Sequence, residues 1–187
     1  MARKAIQMVS VALGAVGLIG VIICCSLPEW IVGYGDDKEV HGGLWKICAK
    51  HTNGVQMCGT YESIAQASPP HGSRAMIVFS CIFGILSLLL LLSGVGFTPC
   101  VQNEDTKTKM ILAAGVGLLL TGLLVIIPVN QETQLSVWVE GVRLGACIYI
   151  GYLVGLMLIV TGVLLCCFGR PGSSSPSGIV SWLRNKV

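Results

Sequence analysis

Four long apolar runs constrain this chain more than any other feature of its sequence. They cover about residues 5–27, 74–97, 110–129 and 144–168. Each run approaches or exceeds the 18 to 20 residues that a helix needs to cross about 30 Å of hydrocarbon. Only 11% of the residues are charged, whereas a soluble domain usually carries about 25%. The sequence therefore predicts one membrane domain, 1–187, with four transmembrane helices.

Lysine and arginine placement predicts the orientation of these helices. The polar segments are 28–73, 98–109, 130–143 and the tail 169–187. Basic residues precede the first run, lie in the 98–109 loop and follow the fourth run: Arg3, Lys4, Lys107, Lys109, Arg170, Arg184 and Lys186. By the positive-inside rule these segments are cytosolic, so both termini are cytosolic and 28–73 and 130–143 are extracellular. The net charge of +3 is then a topogenic bias and does not indicate nucleic-acid binding.

The first extracellular segment has the pattern of a small sheet. Residues 40–49 and 55–63 read as strands, and Thr52-Asn53-Gly54 lies between them. Asn-Gly is a strong hairpin pattern because both residues accept positive φ. This turn lies midway between Cys48 and Cys58, so folding the hairpin brings the two sulfurs onto neighbouring strands. A disulfide is expected outside the cell; a metal site is the alternative, weakened by the lack of further converging ligands.

The sequence lacks the groups that catalysis and transport require. No Asp, Glu, Lys or His interrupts the apolar runs, although a transporter normally buries such a group in its path. Nucleotide-binding, hydrolase and metalloprotease motifs are absent, and His41, His51 and His71 have no metal-ligand spacing. We therefore expect neither an enzyme nor a bound cofactor or metal.

Tryptophan and cysteine positions suggest further roles. We expect Trp30 to be an interfacial anchor, Trp45 to pack between the sheet and the helices, and Trp138 to be either an anchor or an exposed contact residue. Cysteines near the cytosolic membrane surface are candidates for S-palmitoylation, and ordinary reduced thiols are the alternative. The candidates are Cys100, Cys166 and Cys167.

Taken together, the residues of the first extracellular segment resemble the W–GLW–C–C pattern of the claudins. That pattern is matched by Trp30, Gly43-Leu44-Trp45, Cys48 and Cys58. Three further places in the chain resemble claudin motifs. They are residues 27–30 after helix one, Tyr61-Glu62-Ser63 after the second cysteine, and Arg74 at the start of helix two. The resemblance extends further to Ile127-Pro128-Val129 and to 144–152, where Tyr152 replaces a family Trp.

This resemblance implies a membrane α-helical fold. It consists of a left-handed four-transmembrane bundle capped by a disulfide-stapled extracellular antiparallel β-sheet. The resemblance also implies plasma-membrane tight junctions, where the chain polymerises with itself and other claudins in the same and opposing membranes. Such strands form a paracellular barrier or ion-selective pores.

In the family, side chains in and around the disulfide hairpin set charge selectivity. The matching positions are Lys50, His51 and Gly59, with Lys46 nearby. A cation at a narrow water-filled gap raises the cost of passing a cation, which suggests a barrier or a mildly anion-favouring contact. The alternative is that Lys46 and Lys50 are ordinary solvated charges, screened within about 8 Å.

Two departures from the family pattern favour other outcomes. Segment 130–143 is short and lacks the family's Phe-Tyr-x-Pro element, which favours a non-polymerising accessory subunit of the claudin superfamily. The chain ends at Val187, whose carboxylate is a candidate ligand for PDZ scaffold proteins. Asn185 stands where many such ligands carry a hydroxyl.

Overall fold

The computed structural model describes residues 2–35, 38–51, 54–61, 71–95, 104–138 and 141–168. These residues form four helices: α1 Ala2–Ser26, α2 His71–Val95, α3 Glu104–Trp138 and α4 Ala146–Phe168. They also form five strands: β1 Ile31–Gly35, β2 Lys38–Gly42, β3 Lys46–His51, β4 Gln56–Thr60 and β5 Val142–Leu144. All four helices are long and apolar enough to cross a membrane. The predicted four-span helical fold is confirmed.

Small residues let the antiparallel helices approach closely. A Cβ added to Gly17 of α1 would lie 2.6 Å from a methyl of Leu158 in α4. A Cβ on Gly122 of α3 would lie 2.7 Å from the carbonyl oxygen of Gly155 in α4. Close packing of this kind holds helices together in lipid, where water exclusion gives no driving force between them.

Helix α3 is much longer than the predicted span 110–129. Its 35 residues give a length of about 52 Å, so it extends beyond a hydrocarbon layer of about 30 Å. Pro128 lies inside the helix and removes one backbone hydrogen bond, yet the neighbouring Val129 is fully buried. Packing of the flanking turns allows the helix to continue through the proline.

The described part of the predicted second extracellular segment is therefore mostly regular structure. Residues predicted as the loop 130–143 form the end of α3 and part of β5. The fourth helix begins at Ala146, after the strand, and not at 144. The other two helices begin three residues before the predicted starts and end one or two residues before the predicted ends.

The strands form one antiparallel sheet in the order β4-β3-β2-β1-β5. The single strand predicted over 40–49 is wrong, because Gly43-Leu44-Trp45 separates β2 from β3. The predicted strand 55–63 corresponds to the shorter β4, and residues 62 and 63 lie outside the described part of the chain. Gly54 has φ of +80°, as the predicted turn requires, while residues 52 and 53 also lie outside the described part.

Register brings the two hairpin cysteines together. Cys48 of β3 lies opposite Cys58 of β4, and the two are joined by a disulfide. The predicted bond is therefore confirmed. It ties the outermost strand of the sheet to its neighbour.

Candidate functional site

Three surfaces are candidates for function: the junction where the sheet meets the bundle, and each of the two faces of the sheet. The junction is built on the turn formed by Gly43, Leu44 and Trp45. A side chain on Gly43 would collide with the backbone of Pro28, and Leu44 is 2% exposed. Glycine is therefore required at the first position and a buried anchor occupies the second.

Arg74 of α2 holds this turn from the side of the bundle. Its Nε donates a hydrogen bond to the carbonyl oxygen of Leu44 at 2.5 Å. The guanidinium carbon lies 5.3 Å from the ring centre of Trp45 and 4.8 Å from that of Tyr61. Both distances are within the range of a cation–π contact. We call Arg74, Trp45 and Tyr61 the junction cluster.

Tyr61 extends the junction cluster toward α3. Its hydroxyl donates to the carbonyl oxygen of Gly43 at 2.6 Å. Burial raises the pKa of Tyr61, Arg74 opposes that shift and Glu132 of α3 adds to it. A carboxylate oxygen of Glu132 accepts a hydrogen bond from Ser73 of α2 at 3.0 Å. Polar contacts at the sheet end of the bundle therefore join the sheet, α2 and α3.

A cavity of about 30 Å³ lies beside these contacts, between the sheet and α3. It is lined by Trp30, Ile31, Gly42, Gly43, Leu44, Tyr61 and Glu132. Its volume is enough for one or two water molecules. Among the described residues this cavity has the size of a hydration site, which favours a structural role for the junction.

The predicted interfacial role of Trp30 is wrong. Trp30 is 3% exposed, and its indole N–H donates to the carbonyl oxygen of Cys24 at 2.8 Å. That bond satisfies one of the carbonyls left free at the end of α1. Trp45 is the more accessible tryptophan, 44% exposed, although it lies at the predicted junction. The side chain of Trp138 lies outside the described part of the chain.

The four candidate selectivity positions are divided between the two faces of the sheet. Side chains alternate along a strand, so Lys46 and Lys50 share the face that carries Cys48. We call this the disulfide face. His51 shares the other face with Ile47, and Gly59 lies opposite Ile47 in the register.

On the disulfide face the two lysines have different neighbours. Lys50 lies opposite Glu39 of β2, and a carboxylate oxygen of Glu39 lies 3.9 Å from His41 Nε2. Lys46 lies opposite Thr60 of β4, a neutral residue. A directly opposed carboxylate offsets the charge of Lys50. Lys46 is therefore the stronger source of positive potential on this face.

The opposite face carries an apolar row that runs across the sheet. Met57, Ala49, Val40 and Gly33 follow one another in register. Met57 is 66% exposed and Val40 is 37% exposed. Exposed apolar side chains in a row are typical of protein contact surfaces.

Several predicted sites lie elsewhere or outside the described residues. Within the described ranges no group of three His, Cys, Asp or Glu side chains could hold a metal ion. Cys166 and the exposed Cys167 lie at the end of α4, opposite the sheet end of the bundle. Cys100 and Val187 are outside the described part of the chain.

Sequence inspection missed Glu132, Ser73 and strand β5. Glu132 was assigned to a loop because the apolar run ends near Pro128, and no local pattern marks a three-residue strand such as Val142–Leu144. The only local trace of β5 is Arg143 between the apolar residues Val142 and Leu144, and three residues are too few to predict a strand. The Arg143 guanidinium lies 5.2 Å from the ring centre of Tyr34 on β1.

Comparison with known proteins gives a consistent result. The model of the PMP-22/EMP/MP20/Claudin family matches residues 4–165. Claudin-4 of Homo sapiens is 31% identical over 94% of this chain and 92% of that protein. Claudin-3 of Homo sapiens is 30% identical over 89% of this chain and 83% of that protein. Claudin-like protein ZF-A89 of Danio rerio is 30% identical over 89% of this chain and 88% of that protein.

Proposed function

The chain belongs to the PMP-22/EMP/MP20/Claudin family, and from that premise we propose that it is a claudin-type tight-junction protein. In this proposal it is a multi-pass protein of the plasma membrane with both termini cytosolic. It associates with itself and with other claudins, laterally and between opposing cells. It acts as a structural barrier or paracellular pore and not as an enzyme.

The observation that carries this proposal is the five-stranded sheet fixed to the outer end of the bundle. The sheet is held by the junction cluster, and β5 adds a strand from the segment before α4. A rigid sheet presents the same contact surface on every copy of the chain. Repeated contacts between identical surfaces generate a polymer when the symmetry does not close.

The exposed apolar row is the part of the sheet that suits contact with another copy. Met57 and Val40 stay in water when the chain is alone, and covering them removes apolar surface from water. The lysines of the disulfide face then remain available to the aqueous gap. We propose that Lys46 favours anions there and that Lys50, His51 and Gly59 contribute less.

A non-polymerising accessory subunit is the second candidate. The end of α3 at Trp138 and the start of β5 at Val142 are separated by three residues. This segment therefore offers little loop that projects beyond the helix and the strand. An adhesive contact made through the second segment has few residues to use, which favours action on a partner protein within one membrane.

Two cytosolic properties complete the proposal. Acylation of Cys100, Cys166 or Cys167 would add a second membrane attachment. Val187 would enter the carboxylate pocket of a PDZ scaffold, where the terminal residues add a strand to a sheet edge. Deleting Val187 and measuring co-precipitation with the scaffold tests the second property.

Expression in fibroblasts without tight junctions tests the main proposal. We expect freeze-fracture replicas to show continuous strands at cell contacts. As a matched pair, Met57→Glu places a charge in the apolar row and should reduce strand length, whereas Gln56→Glu places it on the other face, opposite Lys50, and should not. Dispersed particles for the wild-type chain at normal surface density would exclude self-polymerisation and favour the accessory role.

A further inference from the structure

Arg143 of β5 lies on the disulfide face, although it comes from the segment just before α4. In the register of the sheet Arg143 pairs with Val32 of β1, and Val32 also pairs with His41 of β2. His41 in turn pairs with Cys48 of β3. Directly opposed side chains of an antiparallel pair lie on one face. The fold therefore brings an arginine from a distant part of the chain onto the face that carries the lysines of β3.

The ring of Tyr34 holds the Arg143 side chain against this face. The guanidinium carbon lies 5.2 Å from the ring centre, within the range of a cation–π contact. Tyr34 follows Val32 by two residues in β1, so it shares the disulfide face, and it is 50% exposed. Because a guanidinium is planar, it can stack on a ring and still present its N–H groups to water. The charge of Arg143 is therefore held in place at an accessible surface.

No carboxylate compensates the charge of Arg143. Of the residues that form the five strands, Glu39 is the only acidic one. Glu39 lies opposite Lys50 and 3.9 Å from His41 Nε2. It also lies opposite Tyr34, yet among the described residues no carboxylate oxygen is within 4 Å of the guanidinium. Arginine stays protonated at every physiological pH, so Arg143 contributes a full positive charge.

Arg143 and Lys46 are far apart on the disulfide face. Strands β1 and β2 lie between β5 and β3, which separates the two side chains by three strand spacings, about 14 Å. Interactions between exposed charges are largely screened beyond about 8 Å at physiological ionic strength. The two residues therefore act on a passing ion as separate positive sites.

We propose that Arg143 is a further selectivity-determining residue, which favours anions in the paracellular gap and is positioned there by Tyr34. This assignment rests on the proposed function, since it requires the disulfide face to line that gap. A cation that passes the face meets an uncompensated positive charge in a narrow water-filled space. An anion meets N–H donors that form charge-assisted hydrogen bonds. Tyr34 acts only through Arg143, by keeping the guanidinium over the sheet.

Dilution potentials of epithelial cell layers that express the full-length protein test the role of Arg143. We expect Arg143→Gln to raise the ratio of sodium to chloride permeability, because the substitution removes the charge and keeps a long polar side chain. Lys38→Gln is the matched control. It removes the same charge from the opposite face, where Lys38 pairs with His51, and it should leave the ratio unchanged.

Two substitutions of Tyr34 test its positioning role in the same layers. Tyr34→Phe keeps an aromatic ring for the cation–π contact and should leave the permeability ratio unchanged. Tyr34→Leu removes the ring and should raise the ratio, by less than Arg143→Gln because the charge remains. The double variant of Tyr34→Leu and Arg143→Gln should match Arg143→Gln alone. Additive effects would mean that Tyr34 acts independently of Arg143.

Strand formation in fibroblasts, scored separately, distinguishes the two possible failures. An unchanged permeability ratio for Arg143→Gln at equal surface density, in a protein that forms strands, would overturn this assignment and leave the proposed function in place. Absence of strands for the wild-type chain would overturn both. If Arg143→Gln does not reach the cell surface, the tyrosine variants decide. Equal ratios for Tyr34→Leu and Tyr34→Phe would then count against the assignment.

Discussion

Nε of Arg74 donates a hydrogen bond to the carbonyl oxygen of Leu44, with 2.5 Å between nitrogen and oxygen. A residue at the start of a membrane helix thus satisfies the backbone of a turn between two strands. The same guanidinium stacks against Trp45 and Tyr61. One side chain therefore couples the orientation of α2 to the position of the sheet.

Replacing Arg74 by lysine should destabilise the fold even though the charge is kept. The ammonium has no planar fork that bonds the carbonyl while stacking on two rings. We expect a loss of about 2 kcal/mol, seen as a fall of roughly 4–8 °C in the unfolding temperature in detergent. Arg143→Lys is the control. Arg143 also stacks on a ring, that of Tyr34, but it does so on an exposed strand, so its loss should change the unfolding temperature less. Equal shifts for the two variants would contradict the role given to Arg74.

Replacing Gly122 by alanine should loosen the contact between α3 and α4. The new methyl would lie 2.7 Å from the Gly155 carbonyl oxygen, and backbone on both sides cannot move without separating the helices. We expect a loss of about 1–3 kcal/mol, measured by thermal unfolding in detergent. Gly72→Ala is the matched control, since no atom lies within 4 Å of its added Cβ. It should be neutral or slightly stabilising, because alanine favours a helix more than glycine does.

Tyr61→Phe should change the dependence of stability on pH. Burial raises the pKa of Tyr61 in the folded state above its value of about 10 in an unfolded chain. The stability that this group contributes is therefore complete below pH of about 10 and is lost as pH rises through the folded pKa. Removing the hydroxyl should cost about 1 kcal/mol at neutral pH and flatten the decline above pH 10. Unfolding midpoints between pH 7 and 11 measure both effects, and parallel curves for wild type and variant would argue against this role.

Lys46→Glu should shift the ion preference of cell layers that express the protein. The substitution changes the local charge by two units on the disulfide face, where Lys46 faces neutral Thr60. We expect the ratio of sodium to chloride permeability to rise, measured from dilution potentials. Thr60→Ser, a neutral change at the opposite position, serves as the control. An unchanged ratio at equal surface expression would mean that Lys46 is a solvated charge without a role in conduction.

Lys50→Glu should behave differently from Lys46→Glu. It would place two carboxylates opposite each other, since Lys50 pairs with Glu39 across the strands. Like charges in that position destabilise a sheet. We therefore expect reduced surface expression in addition to any change in permeability.

Local sequence patterns predicted the membrane helices, the hairpin turn and the disulfide. The helices follow from unbroken apolar runs, and the pairing of Cys48 with Cys58 follows from a turn placed midway between them. These features depend on residues close together in the chain. Other features depend on tertiary contacts. Helix α3 continues past Pro128, where the flanking turns are packed, and β5 forms at the sheet edge by pairing with β1.

The tryptophans show the same distinction within the candidate site. The position of Trp30 just after helix one favoured an interfacial role. In the structure its indole is buried in the core, where its N–H donates a hydrogen bond to the carbonyl oxygen of Cys24 at the end of α1. Similarly, the sequence placed four candidate residues in one hairpin but did not predict on which face of the sheet each side chain lies. These residues are Lys46, Lys50, His51 and Gly59. The strand register separates them, and it also supplies Glu39 as the neighbour of Lys50.

The pairing of β1 with β5 has a mechanical consequence. β1 begins five residues after the end of α1, and β5 ends two residues before the start of α4, so two of the attachments between sheet and helices lie on adjacent strands. If the sheet contacts a neighbouring cell, as proposed above, force applied to it there is divided between two helices that also pack against each other. A load that would peel a sheet tethered at one corner would instead stretch two attachments, which the backbone pairing of Ile31 with Leu144 joins to each other.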